Sequence, residues 1–144
     1  MIGIAPLLTA ITQGPQGPAG SDSGVLTWNG SQAAANTSDN FLPTYAAVPD
    51  TNEYKSGQLI ATATTLTTIR VASFTVLGSS NTITFTLRKN GVDTGLTVTL
   101  GVGATSAVAT GSVSVAPGDM LTMKAVQSGN GTAGAWGLVV AVSP

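Results

Sequence analysis

The stretch Thr82-Ile83-Thr84-Phe85-Thr86-Leu87-Arg88-Lys89-Asn90-Gly91 decides the class of fold. Ile83, Phe85 and Leu87 alternate with Thr82, Thr84, Thr86 and Arg88, the period of a strand with one face in a core and one in solvent. Threonine suits the outer face because its branched Cβ favours extended backbone while its hydroxyl tolerates water. Asn90-Gly91 follows at once, two residues that accept the positive φ of a tight hairpin turn. On the return, Leu96, Val98 and Leu100 alternate with Thr97 and Thr99, so a β-hairpin is predicted here.

Further strands are predicted on both sides of this hairpin: Gln58 to Thr64, Thr68 to Leu77, Thr105 to Val115, Leu121 to Gln127 and Trp136 to Val142. Breakers rich in Gly, Pro, Ser and Asn separate them, notably Gly78-Ser79-Ser80-Asn81 and Pro117-Gly118-Asp119. With Val25 to Trp28 and part of Phe41 to Val48, the expectation is about eight short strands and no helix. Strands of this length and spacing imply an antiparallel sandwich or barrel. The last of them, Trp136-Gly137-Leu138-Val139-Val140-Ala141-Val142, is apolar on both faces, with Trp136, Leu138, Val140 and Val142 on one of them. A strand of that kind is expected to be central and covered on both faces, which makes these four residues candidates for contact with a neighbouring subunit.

Upstream of the strands the character changes twice. Residues 1–13 form an apolar tip carrying Ile2, Ile4, Leu7, Leu8 and Ile11, with Pro6 discouraging a continuous helix. An exposed apolar peptide of this kind is expected to dock on a larger assembly, in a groove or at a sheet edge. No Lys or Arg precedes it, so it is expected to be retained rather than cleaved as a secretory leader. Residues 14–23 then open with three Gly-X-Y triplets, in which Gly14, Gly17 and Gly20 alternate with Pro15 and Pro18 at X positions. Only glycine fits at the crowded axis of a collagen triple helix, and proline pre-sets its φ. Nine residues at about 3.1 Å each span roughly 28 Å, too little to hold three chains together without a trimeric domain beside it. The expected organisation is therefore an anchor peptide (1–13), a short collagen-like stalk (14–23) and a β-sandwich head (24–144).

Composition narrows the chemistry. Hydrophobic residues make up 42% of the 144, enough to remove roughly two-thirds of the unfolded surface from water. Charged residues are 8%, against about 25% in an ordinary soluble domain. Five scattered cations in a chain of net charge −1 make no basic stripe, so nucleic acid is not an expected partner. The absence of His and Cys removes imidazole bases, Ser–His and Cys–His pairs, and zinc sites of the usual kind. No run reaches the roughly 18 to 20 apolar residues of a membrane-spanning helix. A non-enzymatic protein without a cofactor is the expectation.

Three local features have specific readings. Gly129-Asn130-Gly131-Thr132-Ala133-Gly134 has dinucleotide-loop spacing but precedes a predicted strand, so it reads as a glycine-rich loop. Asp50-Thr51-Asn52-Glu53 reads first as a solvated turn, then as a calcium site, and last as a catalytic carboxylate pair. Tyr45 and Tyr54, in loop-like segments, are the aromatics best placed to meet a ligand such as a surface glycan.

Taken together, Gly14 to Asp22, Thr82 to Gly91 and Val115-Ala116-Pro117-Gly118-Asp119-Met120-Leu121 resemble bacteriophage and bacterial collagen-like surface proteins. In those proteins a Gly-X-Y stalk leads into a trimeric jelly roll of the tumour-necrosis-factor-like type. The resemblance implies a jelly-roll sandwich and a homotrimer about a threefold axis. It also implies a structural role on a virion surface, or on a bacterial or spore surface. The partner would be a capsid or tail component, and the function that of a fibre or capsid-decorating spike. A receptor- or glycan-binding adhesin is the alternative.

Overall fold

The computed structural model describes residues 24–30, 39–44, 50–74, 81–128 and 138–144. Nine strands run through them: β1 (Leu26–Gly30), β2 (Asn40–Leu42), β3 (Gln58–Leu59), β4 (Thr64–Ala72), β5 (Thr82–Lys89), β6 (Val92–Leu100), β7 (Ser106–Val115), β8 (Met120–Ser128) and β9 (Leu138–Ser143). A four-residue 3₁₀ turn, Glu53–Ser56, lies between β2 and β3. All pairings are antiparallel.

One sheet has the order β1-β9-β4-β7 and the other β2-β8-β5-β6, with β3 also on β8. Apart from the β5–β6 hairpin and the β2–β3 connection, every link crosses from one sheet to the other. That winding is a jelly-roll sandwich, as expected. Asn90 (φ 52°) and Gly91 (φ 79°) form the hairpin turn, both left-handed as such a turn demands.

The core is the layer between the sheets. Trp28, Leu66, Ile69, Val140 and Val142 face it from the first sheet, and Ile83, Phe85, Leu87, Leu96 and Met123 from the second. Two register shifts interrupt the pairing. In β4 both Leu66 and Ile69 point inward, and the register with β7 shifts between Leu66 and Thr68. The hairpin shifts likewise between Thr86 and Arg88. At Gly111 an added Cβ would lie 3.0 Å from a methyl of Leu96, so glycine lets β7 approach β6 closely.

The predicted strand Gln58 to Thr64 is shorter in the structure, because the chain changes sheets at Ile60. There Ile60 N–H donates to the Asp119 carbonyl at 2.9 Å, and Gly118 N–H donates to the Ile60 carbonyl at 2.9 Å.

The Pro117-Gly118-Asp119 turn is locked to the hairpin at the same end of the sandwich. Asp119 accepts from Ala116 N–H at 2.8 Å and from the Asn90 amide at 2.7 Å, and Lys89 Nζ lies 2.9 Å away. Asn90 Oδ1 in turn accepts from Met120 N–H at 2.8 Å. The Lys89 ammonium, then the Ala116 N–H and the Asn90 amide, hold the Asp119 carboxyl down to about 2. An aspartate released by unfolding titrates near its ordinary value, so the unfolded chain binds more protons between about pH 4 and 2. Stability from Asp119 is therefore present above about pH 4 and is lost as pH falls toward 2. Urea midpoints measured from pH 5 to 2 should decline less steeply in Asp119→Asn than in the wild type.

Candidate functional site

The two outer faces of the sandwich differ in charge. Every ion pair among the described residues belongs to the side of the second sheet and the segment laid on it. Arg88 of β5 is central. Its Nε lies 3.0 Å from Glu53 Oε1 without hydrogen-bond geometry, its Nη1 is 3.2 Å from Asp93, and its guanidinium stacks 5.5 Å from the Phe41 ring centroid. Lys124 of β8 pairs with the same Asp93. Thr122 donates to Glu53 Oε1 at 2.6 Å, so the 3₁₀ turn is fastened across the outside of this sheet. Its other anchor is Trp28, whose indole N–H donates to the Ser56 carbonyl at 3.2 Å.

This arrangement answers the question posed by Asp50 and Glu53. Asp50 pairs with Lys55 at 2.6 Å and accepts from Asn52 N–H at 2.9 Å, which together lower its pKa. Glu53 turns instead to Arg88 and Thr122. The two carboxylates thus face separate cations, the arrangement of a braced turn. Tyr54, the residue after Glu53, is 83% exposed with its ring in solvent, while Tyr45 lies outside the described residues.

The outer face of the first sheet is the opposite case. Register places Thr68, Arg70 and Ala72 of β4 beside Ser143, Ala141 and Val139 of β9, and beside Thr110, Val108 and Ser106 of β7. Beyond β9, Thr27 and Asn29 of β1 are level with Ala141 and Val139. Apart from Arg70, every one of these side chains is uncharged, and most are small. Val108 is 53% exposed, and Phe74, just past the end of β4, is 86% exposed. A shallow depression of about 300 Å³ runs over Arg70, Ala72, Val108, Val139 and Ala141. A smaller one of about 70 Å³ lies against Phe74.

No family model and no curated protein matches this chain.

The predicted interface residues divide. Val140 and Val142 are fully buried in the core of the single chain, so their apolar character is accounted for within one copy. The outward positions of β9 are Val139 and Ala141, half-buried, and these are the ones a neighbour would meet. The side chain of Leu138 and the whole of Trp136 lie outside the description. So do the anchor peptide and the collagen-like stalk, with Ile2 to Ile11 and Gly14 to Gly20.

Both ends of the described chain reach the same end of the sandwich. Gly24 and Pro144 line one groove of about 350 Å³ with Leu26, Leu59, Ile60 and Leu66. The hairpin turn and the Pro117-Gly118-Asp119 turn lie at this proximal end too. The connections β1–β2, β4–β5, β6–β7 and β8–β9 leave from the distal end. Among the described residues, no helix is long and apolar enough to cross a membrane.

Proposed function

We propose that this protein is a non-enzymatic virion structural protein, a homotrimeric fibre or capsid-decoration spike held on its particle by residues 1–13. The observation that carries the reading is the outer face of β1-β9-β4-β7, uncharged apart from Arg70, with Phe74 and Val108 exposed on it. A solvated sheet face normally carries charge that keeps copies apart, and a patch lacking it marks an association surface. The charges of this chain are concentrated on the other sheet, so the two faces are suited to different surroundings.

Three further points support it. The strand orders are those of a jelly roll, the head that the Gly-X-Y resemblance implies. Gly24, the first described residue after the predicted stalk, lies at the proximal end, which supports a stalk entering there. Three linked tips would raise the effective concentration of each docking event, so weak individual contacts suffice for attachment.

Light scattering on the full chain should give the mass of three copies. Deleting residues 2–11 should leave that mass unchanged and abolish attachment to the particle. A monomeric full chain, or attachment retained by the deletion, overturns the reading. The adhesin reading is favoured by the exposed Tyr54. It requires that Tyr54→Ala reduce glycan or cell binding without changing assembly.

A further inference from the structure

Resting on the trimer reading above, we infer that Arg70 of one copy pairs with Asp39 of the next across the interface between copies. The described residues hold five cations and five carboxylates. Four of each are engaged with one another on the side of the second sheet. What remains is one cation, Arg70, and one carboxylate, Asp39, both exposed and neither side chain carrying a hydrogen bond or ion pair among the described residues. In a protein so sparing of charge, an isolated guanidinium in the middle of an uncharged face needs a reason.

Burial supplies the constraint. If a second copy covers the β1-β9-β4-β7 face, Arg70 is taken out of water between Ala141 and Val108. A buried charge is tolerated only when paired. A twofold, face-to-face contact would bring the Arg70 side chains of both copies toward each other, which like charge opposes. A head-to-tail contact, face against edge, avoids this and closes into a ring. Asp39 stands at such an edge, immediately before β2, the outermost strand of its sheet.

Height along the sandwich agrees. Rotation about an axis along the stalk leaves each residue at its own level, so residues that meet between copies must be level with each other. Arg70 is two positions from the distal end of β4 at Ala72. Asp39 precedes Asn40, which is level with Ala125 and hence with Phe85, three positions from the distal end of β5 at Thr82. Both lie in the distal half.

The test is charge reversal in the full chain, read by sedimentation equilibrium over a range of concentration. Arg70→Asp and Asp39→Arg should each weaken self-association by about tenfold or more. The double reversal should restore it. Far-UV circular dichroism should be unchanged throughout, since both side chains are exposed in the single chain. The pairing is overturned if either single reversal leaves association intact, or if the double variant assembles no better than the singles. A wild type that is trimeric while the double variant fails overturns the pairing alone. A monomeric wild type overturns the trimer reading and the pairing with it.

Discussion

Ala72→Lys is expected, on the trimer proposed above, to reduce the solution mass from three chains to one while leaving the strands intact. Ala72 is exposed at the distal end of β4, between Val139 and Ser106, and forms part of the hollow beside Phe74. In a single copy the new ammonium would stand in water, so the fold loses nothing. In the proposed trimer it would be enclosed two positions from Arg70 on the same face, and the neighbour's Asp39, the carboxylate inferred to reach that face, would already be paired with Arg70. An uncompensated buried charge costs about 3–5 kcal/mol, which weakens self-association by more than about a hundredfold. Light scattering at micromolar concentration reads this directly, with circular dichroism as the control for folding. A variant that keeps the mass of three chains would move the interface to another surface.

Phe85→Ala carries the largest expected loss of fold stability. Phe85 is fully buried in β5, between Ala125 of β8 and Val98 of β6, and projects into the layer between the sheets. Ala125 is the small residue on one flank, so little nearby volume can collapse into the space vacated. Removing the ring should destabilise the fold by about 3–5 kcal/mol, from lost transfer energy and the cavity left behind. Urea unfolding monitored by tryptophan fluorescence measures it, compared at equal protein concentration because association adds to apparent stability. A change below about 1 kcal/mol would mean the sheets close around the gap, contrary to interior packing at native density.

The hairpin around Asn90-Gly91 was legible because its signals are local: alternation within one strand, then two residues suited to positive φ. Its partners were also legible as segments, since each short strand carries its own period between breakers. What could not be read was anything that depends on two distant segments meeting. Glu53 and Arg88 are 35 positions apart in sequence and touch only because the 3₁₀ turn packs on β8, the neighbour of β5. Their pairing removes Asp50-Thr51-Asn52-Glu53 from the list of carboxylate pairs, a conclusion no spacing rule supplies. The change of sheet at Ile60 was hidden for the same reason, because the run Leu59-Ile60-Ala61 holds no Gly or Pro to mark it. In β9 the apolar run was evident, but which valines face inward depends on the register with β1 and β4. That register sends Val140 and Val142 inside and leaves Val139 and Ala141 outside. Segregation of charge between the faces was likewise invisible until β5, β6 and β8 lay side by side.

The four distal connections have a practical consequence for engineering. Between β6 and β7 the chain passes through Gly101-Val102-Gly103, where Val102 is 53% exposed and neither glycine has a neighbour in the way of an added side chain. A foreign peptide spliced in at Val102 would leave the core and the ion pairs untouched, since exposed loop tips tolerate insertion best. Grafted there, an epitope would be displayed on the end remote from Gly24 and Pro144. The head would then serve as a small, cysteine-free presentation scaffold.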